Sequence, residues 1–177
     1  MARNRYLKDY RIVETVDERG RIHSSYEYIG EDWFFRADAK TLDRTKKRIL
    51  GLTAVSLILW LCAMLPNSQA MRTWYTSFPF AFLVLPLAML LGQSWSLYRC
   101  KEPMEHRLAD QLENLYPPRC LAAAILAGAV LLGQAVSLFR GLRMAEGDLI
   151  FSLCDGVILA SGLLLFRERK NLTTRKG

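Results

Sequence analysis

LAAAILAGAVLLGQAVSLF, residues 121–139, runs without a charged side chain between Arg119 and Arg140. A helix needs about 20 apolar residues, and tolerates about 17, to cross a hydrocarbon core roughly 30 Å thick. A long helix of a soluble domain keeps a polar face; here only Gln134 and Ser137 interrupt the apolar run. Three blocks of the same kind accompany it: 49–65, closed by Pro66, 78–98, closed by Arg99, and 149–166, between Asp148 and Arg167. The expectation is an α-helical integral membrane protein whose four spans form an up-down four-helix bundle.

The charges between the blocks set an orientation. Lys and Arg near span ends favour the cytoplasmic side. The stretch before the first block carries Arg36, Lys40, Arg44, Lys46, Lys47 and Arg48, the middle loop Arg99, Lys101, Arg107 and Arg119, and the tail 167–177 five more. The other two loops hold only Arg72, Arg140 and Arg143. Both termini are therefore expected in the cytoplasm, with the chain a multi-pass protein of a bacterial-type inner (plasma) membrane. Trp60, Trp74, Tyr75 and Phe78 would then sit at the outer interface, and Trp95 and Tyr98 at the inner one. The net charge of +7 fits topology and an anionic inner leaflet. No nucleic-acid motif accompanies it. The first 48 residues contain no early apolar run, so no signal peptide is expected and the internal helices drive insertion.

Residues 1–36 read as a cytoplasmic antiparallel β-meander. The first strand covers 10–16, the second 21–29, and a third begins at Trp33-Phe34-Phe35; turns are expected at 17–20 and 30–32. Residues 37–48 read as a basic helix, capped by Asp38, that leads into the transmembrane domain, 49–177. The middle loop reads as a short amphipathic helix, 103–116, opened by Pro103 and ended by Pro117-Pro118. Met104, Leu108, Leu112 and Leu115 share one face of it; His106, Asp110 and Glu113 take the other. With Trp33, Phe34 and Phe35, that apolar face is the expected surface for a protein partner or for lipid.

Asp155 is the one ionisable residue inside an expected span. It lies about 9 Å into the helix at 1.5 Å per residue. Inserting it costs about 2.5–3.5 kcal/mol, which the Leu, Ile, Phe and Val residues around it offset. Such acids either mark ion paths or find a polar partner inside the bundle. The expected partner is Gln134, at similar depth in the neighbouring span; Gln93 is the third intramembrane polar candidate. Small residues four apart, Ala124 and Gly128, Ala129 and Gly133, Gly156 and Ala160, would let helices approach closely. Pro86, preceded by Pro79, would kink the second span.

Residues 90–99 (LLGQSWSLYR) and 131–140 (LLGQAVSLFR) share seven of ten positions. An inverted repeat of the transporter kind is one reading; convergence on helix-end composition is the plainer one. The four cysteines form no CxxC pair. Cys62 and Cys154 would lie near the outer ends of their spans, where a disulfide or ordinary thiols are both open. Cys100, His106 and Cys120 lack the spacing and fourth ligand of a metal centre. Asn171-Leu-Thr173 matches a glycosylation sequon on the side where it would not be used. No Walker or Rossmann glycine pattern and no Ser–His–Asp set occurs, so neither enzymatic activity nor a cofactor is expected. The expectation is a non-enzymatic accessory, anchoring or regulatory protein that engages a partner, or forms a homo-oligomer, through its cytoplasmic module. The alternative is an oligomeric small transporter or channel that uses Asp155.

Overall fold

A computed structural model describes residues 9–16, 22–30, 32–140 and 146–176. Strands β1 (Tyr10–Val16) and β2 (Ile22–Tyr28) form an antiparallel hairpin, and the short strand β3 (Trp33–Phe35) follows. Helix α1 (Ala39–Cys62) comes next, then α2 (Trp74–Arg99), α3 (His106–Asp110), α4 (Tyr116–Phe139) and α5 (Glu146–Glu168). Strand β4 (Thr174–Lys176) closes the chain. The turn expected at 17–20 lies outside the described residues.

Among the described residues, three helices are long and apolar enough to cross a membrane: Trp74–Arg99, His106–Phe139 and Glu146–Leu172. The first expected span differs. Lys40, Asp43, Arg44, Lys46, Lys47 and Arg48 occupy the early turns of α1, and the helix stops at Cys62, three residues short of the expected end. Asp38 takes the extended N-cap backbone, and its carbonyl accepts the Leu42 N–H at 2.8 Å, but its side chain makes no capping bond. Helix α2 runs unbroken through Pro79 and Pro86.

The helices pack around a common interior. Helix α2 lies against α4, α4 against α5, and α1 against both α2 and α5. Buried positions recur at three- and four-residue spacing, as in Asp148, Phe151, Asp155, Ile158, Gly162 and Leu165 of α5. The outward faces are apolar. Phe82, Met89, Ile125, Leu132, Leu153 and Leu163 are each more than half exposed. So much contiguous apolar surface drives association in water; hydrocarbon accommodates it. Helices surrounded by lipid gain nothing from hiding apolar surface from one another, and packing and interhelical hydrogen bonds hold them together. Here Trp60 Nε1 donates to the Phe80 carbonyl at 2.9 Å, and the hydroxyls of Thr53 and Ser94 lie 3.1 Å apart. Trp60 thus turns inward, while Trp74 stays largely exposed.

The expected three-stranded meander is two separate sheets. Strand β3 pairs antiparallel with β4, from Trp33 opposite Lys176 to Phe35 opposite Thr174. The reason lies in the helices. Because α1 packs against α5 and Arg48 binds Glu168 at 2.7 Å, the segment before α1 and the segment after α5 emerge side by side. The middle-loop helix is also different. It starts at His106, passes through one π turn at Gln111–Leu115, and continues into α4 without a break. Pro117 and Pro118 open α4 instead of ending the loop helix. A proline lacks the N–H for an i→i−4 bond and crowds the carbonyl four residues back. A wider π turn directly precedes them. It rotates the apolar face: Met104 and Leu112 are buried and Leu108 half-buried, but Leu115 is exposed.

Candidate functional site

The middle loop is the hub to which the other segments at this end of the molecule attach. On β3, the Trp33 N–H donates to the Met104 carbonyl at 3.1 Å, and the Met104 N–H donates back at 2.9 Å. The Phe35 N–H donates to Glu102 Oε1 at 3.1 Å. On the tail, the Thr174 N–H donates to Glu113 Oε1 at 3.2 Å, and the Thr174 hydroxyl donates to the same oxygen. Arg36 joins the two strands further, its N–H donating to the Thr173 carbonyl at 3.0 Å. The hairpin reaches the same loop through tyrosines. The Tyr10 hydroxyl donates to Glu105 Oε2 at 2.5 Å, and the His106 N–H donates to the Tyr28 hydroxyl at 2.9 Å. His106 stacks on Trp33 with ring centroids 5.5 Å apart, and its Nδ1 lies 3.3 Å from Asp9 Oδ2.

Sequence reasoning put Glu102, His106 and Glu113 on the polar, solvated side of the loop helix and gave Glu105 no role. All four are anchors between chain segments. The signal is invisible locally, because each partner lies sixty or more residues away. The expected partner surface is largely used internally: Phe35, Met104 and Leu112 are buried together in the main core, with Trp33 and Leu108 packed on it. Phe34 is half-buried. The electrostatics follow the anchors. The carboxylate of Glu105, and secondarily burial, push the Tyr10 hydroxyl up to about 12. Burial also raises Tyr28 and the Cys100 thiol above their usual ranges.

The interior polar residues do not form the expected pair. Gln134 Oε1 accepts the Ser152 hydroxyl, one turn away from Asp155 on the same helix. The helix ends explain it. Helix α5 begins at Glu146, not at 149, so Ser152 is six residues in, Gln134 is five from the end of α4, and Asp155 lies a turn deeper. Asp155 is fully buried, and among the described residues neither carboxylate oxygen has a hydrogen-bond partner. The Gln134 Nε2 and both amide atoms of Gln93 are likewise buried without partners.

The small residues divide. A Cβ on Gly133 would meet Thr76 Oγ1 at 2.7 Å and the Tyr75 carbonyl at 3.0 Å. A Cβ on Gly162 would touch Ala124 at 3.3 Å. Gly92, Gly128 and Gly156 face open space, so Gly92 and Gly133, equivalent in the 90–99 and 131–140 segments, sit in unlike surroundings. Ala129 and Ala160 are half-buried and exposed. All four cysteines are free, and among the described residues no group of His, Cys, Asp and Glu could hold a metal ion. At the opposite end, Asp148 Oδ1 accepts the Ser68 hydroxyl at 2.6 Å and the Ala70 N–H at 3.1 Å, tying the turn after α1 to the start of α5.

No family model matches this chain, and neither do any curated proteins or solved structures.

Proposed function

We propose that the chain is a four-span protein of a bacterial-type inner membrane, with both termini cytoplasmic, acting as a non-enzymatic accessory or anchoring subunit for a protein partner. The anchored hairpin carries this reading. It is a two-stranded sheet, marginal by itself, fastened to the middle loop through Tyr10 and Tyr28. It nevertheless presents Ile12 and Ile29 to solvent, each more than half exposed. Attachment at the two tyrosines with exposed apolar side chains beside them is what a docking element needs, since little ordering entropy is lost on binding. The fourth span is α1 from Ile49 onward, and its outward Val55, Ile58 and Leu61 support that assignment. The orientation rests on the basic residues gathered at the end where β3, β4 and the middle loop meet.

The test is purification of the tagged chain from its native membrane in mild detergent. The expected result is stoichiometric recovery of one larger protein with the natural chain and its loss with Ile12→Glu, at unchanged thermal stability. Recovery of a homo-oligomer alone refutes the reading. One observation favours a second reading, an oligomeric transporter or channel: the Asp155 carboxylate is buried and has no hydrogen-bond partner among the described residues, a turn from the half-satisfied amide of Gln134. That reading requires proton flux into liposomes that Asp155→Asn abolishes.

A further inference from the structure

An open cleft of ≈ 620 Å³ lies where α2 ends and the helix His106–Phe139 begins. Its wall carries Arg99, Lys101 and Arg107 against one carboxylate, Glu105, which is engaged by Tyr10. Among the described residues, none of the three cations is in an ion pair. Ser96 and Gln111 add neutral hydrogen-bonding groups. The last carbonyls of a helix bring partial negative charge, but Lys46 Nζ donates to the Cys100 carbonyl at 2.7 Å and offsets it. The cleft therefore selects an anion.

Its position identifies the kind of anion. Arg99 lies over the Trp95 ring at 4.7 Å, and Trp95 and Tyr98 are both exposed on the last turns of α2, where indole and phenol rings meet a membrane interface. An exposed stripe of α2, Leu85, Met89, Gly92 and Ser96, leads along the helix to the cleft. Gly92 leaves it smooth, with nothing within 4 Å of where a Cβ would stand. A polar anion hole opening onto an apolar track matches a phosphate head joined to an acyl chain.

We propose that this cleft holds the phosphodiester headgroup of one anionic phospholipid, its acyl chain lying along the Leu85–Ser96 stripe of α2. The proposal rests on the membrane reading above but not on the protein partner. Basic pockets at the cytoplasmic ends of membrane helices suit such headgroups, and each surface cation contributes about fivefold in affinity.

The test is native mass spectrometry of the purified full chain in non-ionic detergent, titrated with phosphatidylglycerol or phosphatidylcholine. One phosphatidylglycerol per chain is expected to be retained in preference to phosphatidylcholine. Arg99→Gln/Lys101→Gln/Arg107→Gln should weaken retention by roughly two orders of magnitude, from about fivefold per cation. Lys101→Gln alone, at an exposed position, reads a single step without risk to the fold. Lys40→Gln/Arg44→Gln, on the other basic face, should change nothing. Equal retention of phosphatidylcholine, an unaffected triple variant, or equal weakening by the control pair overturns the proposal. Competition by glycerol phosphate at the lipid's own concentration makes a free phosphate the ligand and overturns the lipid assignment. The titration uses the chain alone, so a failed partner capture and a failed lipid retention are read separately.

Discussion

Replacing glycine by alanine at 133, 128 and 92 should move stability in opposite directions. In a helix interior the change gains about 0.5–1 kcal/mol, because glycine has more backbone freedom to lose on folding. At Gly128 and Gly92 a Cβ meets nothing within 4 Å, so that gain should appear whole. At Gly133 the Cβ would stand 2.7 Å from Thr76 Oγ1, 3.0 Å from the Tyr75 carbonyl and 3.3 Å from the Thr76 Cα. Two of those atoms are backbone and cannot swing away, so α2 and α4 must separate locally. The hydroxyls of Tyr75 and Ser137, 3.1 Å apart, bridge the same helices and would be pulled with them. Overpacking of this kind costs about 1–3 kcal/mol. Gly133→Ala should thus be destabilising by about 1–2 kcal/mol net, and about 2 kcal/mol worse than Gly128→Ala. Thermal unfolding in one detergent, followed by circular dichroism, measures the difference, which is about 4–8 °C for a chain of this size. Equal stabilities for the two variants, or the reverse order, would refute the close approach of α2 and α4.

Three further outcomes are expected. Asp148→Ala removes the acceptor shared by Ser68 and Ala70 and should cost about 2–4 kcal/mol in the same unfolding assay, whereas Asp148→Asn, which keeps one carbonyl oxygen, should cost less. Asp155→Leu should leave stability unchanged or raise it, because no described partner is orphaned; a loss above about 1 kcal/mol would mean the carboxylate is bonded after all. Tyr10 should ionise near pH 12, above the ordinary tyrosine value of about 10, in an ultraviolet difference titration against Tyr10→Phe. Its folded-state value is raised, so its contribution to hairpin docking is complete below about pH 10 and fades as pH rises through about 12. Glu105→Gln should return Tyr10 toward the ordinary value.

The helices and their outward faces were legible because hydropathy and helical period are local properties of the chain. Residues 121–139 announce a buried or lipid-embedded helix whatever surrounds them. The hairpin was legible for the same reason: β-branched and aromatic runs flank a turn signal, and β1 and β2 stand where the pattern put them. The helix ends were less so. Pro117-Pro118 normally stops a helix, and nothing local foretells the π turn that carries the chain through.

What the sequence determined by itself, then, was the set of apolar helices, the charge asymmetry of their ends and the residues able to form a hairpin. Tertiary structure alone decided the partners. Strand β3 joined β4, and not β2, because α1 and α5 pack side by side and bring their flanking segments together. Gln134 chose Ser152 over Asp155 through an offset of three residues, about 4.5 Å along the helix axis. A shift that small changes no periodicity and no composition. It is fixed only when two helices settle into each other's grooves, and that settling left Asp155 buried and, among the described residues, unpaired.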